Sequence, residues 1–430
     1  MDYQRPAISR LKSRLDEKPL RVQILAGPRQ VGKTTMVRQL LAGRPAAASR
    51  YVAVDEPTRR VTAGGKLLGD EVGVGTVRAW QGRDINAQWL TDEWSQASAE
   101  AVAWQQSNSR LAKTVPFVFV IDEIQKVPQW SEAVKGLWDR NADDRLPMHV
   151  LLLGSAPLLV QQGLSESLAG RYEVLRLGHW SFEEMNDAFG FTFDQYIYFG
   201  GFPGSAAFIH DETRWREYLL NSLIQPNIEK DILAMTRVDK PVLLKHLFEL
   251  GCNYSGQIVS LDKVLGQLHD AGNVTTLARY LDLLAQAGLI SGLQKFSQNQ
   301  LRKRKSPPKF QVLNNALMSA LGSHGFGAAL SDRSHWGRLV ESAVGAHLAN
   351  TADGDTHIHY WRDGGLEVDF VLERRGKLTA IEVKSGRSAL NQPGLAEFSR
   401  RHGDCRTLLV GAEALPVGEF LRYPAEHWVG

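Results

Sequence analysis

The amino-acid sequence predicts an α/β fold in which a doubly wound parallel sheet carries a phosphate-binding loop and is followed by further regions. Three observations lead to this prediction. A short apolar run, Val22–Ala26, ends in a glycine-rich turn before a helix-like segment. Continuous apolar runs at Phe117–Ile121 and in MHVLLLG are typical of strands buried on both faces of a parallel sheet. Strand-like and helix-like segments alternate as far as about residue 180, which favours a doubly wound domain.

The turn after the first strand fits the pattern G-x-x-x-x-G-K-[ST]. Glycines let main-chain N–H groups converge on a phosphate, Lys33 would reach the β- and γ-phosphates, and Thr34 would ligate Mg²⁺. An ordinary strand–turn–helix connection is the alternative, but the complete pattern is rare by chance in this context. We therefore predict that ATP and Mg²⁺ are the cofactors. The expected cofactor-binding residues are Gly27, Pro28, Arg29, Gln30, Val31, Gly32, Lys33, Thr34 and Thr35.

Two acidic residues, Asp122 and Glu123, follow the buried apolar run. An ATPase places there a carboxylate that holds Mg²⁺ and a base that orients the attacking water, so we assign these roles to Asp122 and Glu123 respectively. Ser155 ends the next strand, where its hydroxyl could sense the γ-phosphate. Lys33, Glu123 and Ser155 are therefore expected to be catalytic.

Length and composition set the broad class. At 430 residues and 43% apolar residues, the chain is expected to form about three globular domains. The net charge of +3 neither requires nor excludes nucleic acid. The two cysteines have no zinc-like spacing, which favours a reducing compartment. Because no apolar run approaches a membrane span and the N-terminus lacks a signal-peptide core, we expect a cytoplasmic protein without a membrane partner.

The middle of the chain predicts helices and a basic hairpin. Residues 181–250 read as a helical lid or connector. Residues 251–320 contain two amphipathic segments, a strand-like run and a basic stretch, an order typical of a winged helix. A helical hairpin with a solvated basic loop is the alternative. The expected DNA-binding residues are Arg302, Lys303, Arg304 and Lys305.

Several motifs occur in an order that resembles the prokaryotic AAA+ ATPases with a C-terminal DUF4143 region. They are GPRQVGKTT, IDEIQKVPQW, GSAPLLV, SLAGRYEVLRLGHWSFEE, GGFPG, RKRKSPPKF and WRDGGLEVDFV with IEVKSG. The resemblance implies a P-loop core at 1–180, a winged helix, and a PD-(D/E)xK-like nuclease fold at 321–430. Residues 58–113 match that family least.

The resemblance also implies a role for Arg171, which precedes the fifth predicted strand. In AAA+ ATPases an arginine at this place reaches the neighbouring subunit's nucleotide, so Arg171 is expected to be catalytic in a homo-oligomer such as a hexamer. The alternative is an arginine favoured at a helix C-terminus by the helix dipole.

The C-terminal region contains a candidate second metal site. If Arg375-Gly376 forms a two-residue turn, Asp369 lies across from Glu382 on one face of a hairpin. Lys384 shares that face. Asp369, Glu382 and Glu341, which lies in a preceding helix, would bind Mg²⁺, with Lys384 positioning water. The alternative is that these charges alternate on a solvated face, or that the fold is kept without activity.

Two functions fit these patterns. The first is an oligomeric ATPase that binds, remodels or translocates DNA, for example as a helicase or in branch migration, with a preference for DNA structure over sequence. The second is a nucleotide-gated signalling switch that binds a protein partner through an inactive nuclease fold. DNA-stimulated turnover discriminates between them.

Overall fold

The computed structural model describes residues 3–54, 60–61, 67–68, 85–143, 146–155, 168–232, 238–268, 273–297, 306–386, 392–411 and 414–429. The chain divides into two compact units, Met1–Leu177 and Gly178–Gly430, and each is described by itself.

The first unit contains a five-stranded parallel sheet and four helices within its described residues. The strands of the unit are β1 (Val22–Gly27), β2 (Ser49–Ala53), the two-residue pair β3 (Arg60–Val61) and β4 (Leu67–Leu68), β5 (Phe117–Asp122), β6 (Met148–Ser155) and β7 (Tyr172–Arg176). Its helices are α1 (Ala7–Asp16), α2 (Lys33–Ala42), α3 (Ala87–Ser107) and α4 (Trp130–Asp143). The order in the sheet is β2-β5-β6-β1-β7, and every pairing is parallel.

The central strands are buried because helices cover both faces of this sheet. Every residue of β1, β5 and β6 is buried, which explains why these strands are continuous apolar runs rather than alternating ones. One face packs against α3 and α4, with Trp94 edge-on to Phe119 at 5.8 Å. Leu11 of α1 and Met36 of α2 belong to the core on the opposite face. The predicted doubly wound α/β sheet is therefore confirmed.

Helix α3 begins at Ala87, directly after Asn86. Asn86 caps it, because its side-chain oxygen accepts hydrogen bonds from the main-chain N–H groups of Gln88 and Trp89. An N-cap residue satisfies the main-chain donors that the first turn leaves unpaired. The sequence signal for this start was the asparagine itself.

The second unit begins with helices. These are α5 (Phe182–Phe189), α6 (Phe193–Phe199), α7 (Glu212–Tyr218), the π-helical segments Leu219–Ile224 and Asn227–Ile232, α8 (Pro241–Asn253), α9 (Leu261–Leu265) and α10 (Val274–Gln286). Ser181 and Thr192 form capping boxes at the starts of α5 and α6. After α10, Gly288 has a φ of 74°, the left-handed conformation that glycine adopts easily where a helix ends.

The rest of the second unit combines a six-stranded sheet with helices. Its strands are β8 (Ile290–Lys295), β9 (Lys309–Val312), β10 (Thr356–Asp363), β11 (Leu366–Arg374), β12 (Lys377–Lys384) and β13 (Cys405–Gly411). Its helices are α11 (Asn315–Leu321), α12 (Phe326–Ser331), α13 (Arg333–Thr351), α14 (Pro393–His402) and α15 (Val417–Phe420). The sheet order is β13-β12-β11-β10-β8-β9, so β8 and β9 continue the sheet of the C-terminal strands.

The hairpin between β11 and β12 has the register that the sequence predicts. Arg374 pairs with Lys377, and the ladder continues to Phe370 opposite Ile381. Arg375 and Gly376 have φ values of 50° and 81°, as a two-residue turn with two left-handed positions requires. At the next position the Asp369 carboxylate accepts a hydrogen bond from the main-chain N–H of Val383 at 2.9 Å.

Candidate functional site

The loop between β1 and α2 has the backbone of an anion cradle. Gln30 and Gly32 have φ values of 58° and 89°, and left-handed residues in a turn direct successive main-chain N–H groups inward. Gly27 is required by close packing, because a Cβ there would lie 2.3 Å from the carbonyl oxygen of Leu177. The sequence analysis missed Arg5, whose buried guanidinium donates to the carbonyl of Val31 at 2.9 Å.

Lys33 is buried at the first residue of α2. Its ammonium donates to the carbonyl oxygens of Gly27 at 2.8 Å and Pro28 at 2.7 Å, both in the same loop. These acceptors are neutral, and a hydrogen bond from an ammonium to an anionic oxygen is stronger than one to a carbonyl. A phosphate in the loop could therefore compete for Lys33.

Asp122 receives three hydrogen bonds at the end of β5. Its Oδ2 accepts from Thr34 Oγ1 at 2.7 Å and from the hydroxyl of Tyr51 at 2.5 Å, and its Oδ1 accepts from the main-chain N–H of Glu123 at 3.0 Å. Burial and the nearby Asp122 charge raise the pKa of Tyr51, so its hydroxyl stays a donor. The sequence analysis missed Tyr51, since only the pairing of β2 with β5 brings it beside Asp122.

Glu123 has a left-handed backbone, with a φ of 58°. Its Oε2 accepts a hydrogen bond from the side-chain amide of Gln125 at 2.6 Å, and Lys126 Nζ lies 3.9 Å away. The side chain is 36% exposed, in contrast to the buried Asp122 before it. The carboxylate that could orient water is therefore accessible and is held by its own loop.

Ser155 lies directly beside the first glycine of the loop. In the parallel pairing of β1 with β6, Gly27 is opposite Ser155. The Ser155 hydroxyl is buried and has no hydrogen-bond partner among the residues that the structure describes. A buried polar atom is costly to leave unsatisfied, and a ligand at this position could accept from the Ser155 hydroxyl.

These residues meet because the strand order brings three carboxyl ends together. β6 lies between β1 and β5, so the loop after β1, Ser155 at the end of β6 and Asp122 at the end of β5 lie at the same carboxyl end of the sheet. Ligands of open α/β sheets bind at this edge. The inward N–H groups and Lys33 fit a triphosphate, and the Thr34 hydroxyl with the Asp122 carboxylate fits Mg²⁺, which prefers oxygen ligands.

Arg171 forms an ion pair within its own chain. Its guanidinium contacts both carboxylate oxygens of Asp139 on α4, with Nε–Oδ1 at 2.7 Å and Nη2–Oδ2 at 3.0 Å. Hydrogen bonding from Arg171 lowers the pKa of Asp139. Both side chains are partly exposed, 34% and 44%, so the pair is open to solvent and a partner could displace it.

The C-terminal residues predicted to bind metal lie in a group of acidic side chains that we call the carboxylate cluster, namely Glu341, Glu367, Asp369 and Glu382. Beside these carboxylates lies Lys309, at the start of β9, for which the sequence patterns gave no signal. Its fully buried Nζ lies 2.7 Å from Glu341 Oε1, 3.5 Å from Asp369 Oδ1 and 4.0 Å from Glu367 Oε1. Glu382, which was also predicted to bind the metal, accepts a hydrogen bond from Lys384 Nζ at 2.6 Å.

Burial and mutual repulsion perturb the titration of this cluster. Burial and the charge of Asp369 raise the pKa of Glu341 to about 7, although Lys309 opposes this shift. Burial and Asp369 also raise the pKa of Glu382. For Lys309, burial works to lower the pKa, but Asp369 and Glu341 outweigh it and the pKa is raised. The lysine therefore stays charged.

The described part of the chain includes neither the predicted DNA-binding residues nor a metal arrangement at the C-terminal site. Arg302, Lys303, Arg304 and Lys305 lie outside the described residues. No group of three or more His, Cys, Asp or Glu side chains within the described ranges has an arrangement suited to a metal ion. The C-terminal metal site remains a prediction.

The parallel sheet and the residues at this end of it are similar to those of AAA+-type P-loop domains. A family model described as an AAA domain matches residues 83–186, a range that includes Asp122, Glu123, Ser155 and Arg171. Models for two domains of unknown function, DUF8612 and DUF4143, match residues 190–329 and 336–419. The AAA and DUF4143 matches confirm the resemblance found in the sequence.

Two similar proteins are the uncharacterized proteins Mb2031c of Mycobacterium bovis and Rv2008c of Mycobacterium tuberculosis. Each is 26% identical over 385 residues, which are 88% of this chain and 73% of the relative. Their names give no activity.

Solved structures that match this chain have low structural similarity to it. The Aeropyrum pernix Orc1 protein in complex with DNA has a TM-score of 0.26 at 14% identity, and the match covers 75% of this chain and 93% of that chain. Drosophila ORC bound to DNA has a TM-score of 0.26 at 12% identity, with 71% and 91% covered. The fold assignment therefore depends on strand order and the AAA match. Among the described helices, none has both the length and the apolar character of a membrane span.

Proposed function

We propose that this protein hydrolyses ATP with Mg²⁺ at the edge of the first sheet and uses the turnover to act on DNA. The observation that carries the proposal is the meeting of Lys33, Asp122 and Ser155 at three neighbouring strand ends. When bound, Mg²⁺ and ATP supply the scissile phosphoanhydride and neutralise charge on its oxygens.

The chain's own residues have distinct roles in this proposal. Lys33 exchanges its carbonyl partners for phosphate oxygens, and the inward N–H groups of the loop bind the same anion. Thr34 and Asp122 hold the metal, while Tyr51 keeps the Asp122 carboxylate in place through its hydroxyl. Glu123 orients the attacking water and accepts its proton. Ser155, whose hydroxyl has no partner among the described residues, donates towards the γ-phosphate.

We infer that Arg171 completes the site of a neighbouring copy in a homo-oligomer. An arginine supplied in this way stabilises charge that develops on the transferring phosphoryl group. Within one chain Arg171 is bound to Asp139, so assembly must replace that partner. Breaking the pair should cost little free energy, because exposed ion pairs contribute little stability.

The DNA part of the proposal depends on residues 241–312. Helices α8, α9 and α10 precede the antiparallel strands β8 and β9, which is the order of a winged helix. The basic residues 302–305 lie between those two strands in the sequence. Such a basic connection would contact phosphates and release counterions on binding.

ATP turnover measured with single-stranded, duplex, forked and four-way DNA tests this proposal. We expect at least one form to stimulate hydrolysis, and the stimulation to fall when Arg302, Lys303, Arg304 and Lys305 are all changed to Gln. A matched variant changes the exposed residues Arg10, Lys12, Lys18 and Arg21 to Gln and should keep the stimulation. Turnover that is unaffected by every DNA form would contradict a DNA-driven ATPase.

A second candidate function is a nucleotide-gated switch that binds a protein partner through an inactive nuclease fold. In the second unit, α13, β10, β11, β12, α14 and β13 follow one another in the αβββαβ order of a PD-(D/E)xK-like core. Lys309 favours the inactive form, because its ammonium lies among the carboxylates that would hold a catalytic metal. Tight nucleotide retention without DNA stimulation would favour this candidate.

A further inference from the structure

Lys309 has an unusual environment for a lysine. No part of its side chain is exposed, although lysine is almost never fully buried unless it is paired. Its ammonium also lies 3.2 Å from the carbonyl oxygen of Asp369 and 4.8 Å from the ring centre of Phe370. These contacts come in addition to the carboxylates of Glu341, Glu367 and Asp369. The charge is therefore enclosed by acceptors from several elements.

The elements around this ammonium explain its position. Lys309 starts β9, Glu341 lies in the middle of α13, and Glu367 and Asp369 alternate with Val368 on β11, so they share one face of the strand. The ammonium lies within ion-pairing distance of all three carboxylates. A metal ion that bridged α13 and β11 would need this same space.

We propose that Lys309 is the resident cation of the carboxylate cluster and excludes a divalent metal ion from it. Mg²⁺ and Mn²⁺ require carboxylate oxygens at about 2.0–2.2 Å. Those oxygens already surround Nζ, so an ion bound to them would lie within a few ångströms of a buried ammonium. Two like charges at that separation, with little water to screen them, repel strongly.

The lysine cannot leave the cluster easily. Its withdrawal would leave the half-buried Glu341 and the buried Asp369 without this cation, which is more destabilising than breaking an exposed ion pair. The second lysine, Lys384, already pairs with Glu382 at 2.6 Å. Asp369 on β11 and Glu382 on β12 therefore each lie beside a lysine of the same chain.

The exclusion can be tested by Mn²⁺ titration of the complete chain without nucleotide. Calorimetry would follow binding, and thermal unfolding would be compared in Mn²⁺ and in EDTA. The variant Lys309→Met removes the charge but keeps a long apolar stem beside Phe370. The control is the double variant Lys309→Met/Asp369→Asn, which also removes a carboxylate from the cluster. Wild type and Asp369→Asn alone complete the set.

We expect wild type to show no Mn²⁺ binding that depends on Asp369. Lys309→Met should gain one Mn²⁺ site, tighter by about tenfold or more than any in wild type, and Mn²⁺ should raise its unfolding temperature. The double variant should lose both effects. If Lys309→Met unfolds in EDTA, Mn²⁺ should restore its fold.

Two results would overturn the proposal. One is Mn²⁺ binding by wild type that disappears in Asp369→Asn, since the lysine and the metal would then coexist. The other is a Lys309→Met protein that gains no Mn²⁺ binding, or that remains unfolded at saturating Mn²⁺, because the metal would then be unable to replace the ammonium.

Discussion

The candidate phosphate-binding site and the carboxylate cluster each have a buried lysine beside them, but the two lysines have different partners. Lys33 donates to carbonyl oxygens of its own loop, whereas Lys309 lies among carboxylates from α13 and β11. A neutral acceptor releases an ammonium to a phosphate at low cost, while a buried ion pair leaves uncompensated charge when it is broken. The first site is therefore suited to exchange internal contacts for a ligand, and the second has its charges satisfied internally.

The largest expected effect comes from removing the exchangeable lysine. Lys33→Ala should abolish tight ATP binding and hydrolysis, because the proposed complex then loses the ammonium that binds the phosphates. Its fold should remain, since the hydrogen bonds from Lys33 to the carbonyl oxygens of Gly27 and Pro28 stay within one loop. Equilibrium binding of a fluorescent ATP analogue would measure the change. Exposed Lys12→Ala is the control, and ATP affinity equal to wild type in Lys33→Ala would disprove the assignment.

The next effect concerns the assembly of the first site. Arg171→Ala should lower hydrolysis by about 10³-fold or more while ATP binding persists. Mixing it with Lys33→Ala should restore part of the turnover, because each chain then supplies the half-site that the other lacks. Arg140→Ala, at an exposed arginine of α4, should behave as wild type. An active monomer, or mixtures that never recover, would exclude an arginine supplied by a neighbour.

A smaller effect is expected at Ser155. Because its hydroxyl has no described partner, Ser155→Ala should not lower the free energy of unfolding. Hydrolysis should nevertheless fall by about tenfold or more, as for other donors that stabilise developing charge. Turnover and urea denaturation of the same samples would separate these effects, with exposed Ser95→Ala as the control. A loss of stability with unchanged turnover would assign Ser155 a structural role.

The smallest effect is a change in pH dependence at the carboxylate cluster. The pKa of Glu341 is raised to about 7 by burial and by Asp369, so the folded state holds a proton that the unfolded state releases from about pH 4.5. This contribution to stability is fully present below about pH 4.5 and is lost as the pH rises through 7. Over that window it amounts to about 1–3 kcal/mol.

Glu341→Gln should therefore flatten the fall in the free energy of unfolding between about pH 4.5 and 7. Urea denaturation across this range would measure the profile, and exposed Glu183→Gln should keep the wild-type shape. If Glu341→Gln and wild type had parallel profiles, Glu341 would not titrate within the window.

The sequence predicted those features that local patterns encode. Continuous apolar runs located β1, β5 and β6, and the two-residue turn at Arg375-Gly376 set the register of β11 with β12. Both signals act over a few residues, and hydrophobic periodicity or turn geometry reads them directly.

Local sequence patterns do not reveal side-chain partners that are far apart in the chain. Lys309 is 60 residues from Asp369 in the chain, and in the sequence it looks like the end of a basic stretch. Tyr51 is 71 residues from Asp122 and looks like any tyrosine of a buried strand. Only the pairing of strands brings such residues together. The π-helical segments, Leu219–Ile224 and Asn227–Ile232, also left no pattern that distinguishes them from ordinary helix.

The proposed hydrolysis of ATP at this site is tested most directly with the variant Glu123→Gln. Its ATP binding and its Mg²⁺-dependent turnover would be measured beside those of wild type. Glu123 is partly exposed and its carboxylate accepts a hydrogen bond from Gln125, so the substitution should remove the base without disturbing Lys33 or Asp122. We predict wild-type ATP affinity with turnover lowered by about 10²-fold or more, while exposed Glu17→Gln stays unchanged. Wild-type turnover in Glu123→Gln would contradict the proposed ATP hydrolysis at this site, because hydrolysis would then not depend on the Glu123 carboxylate that follows β5.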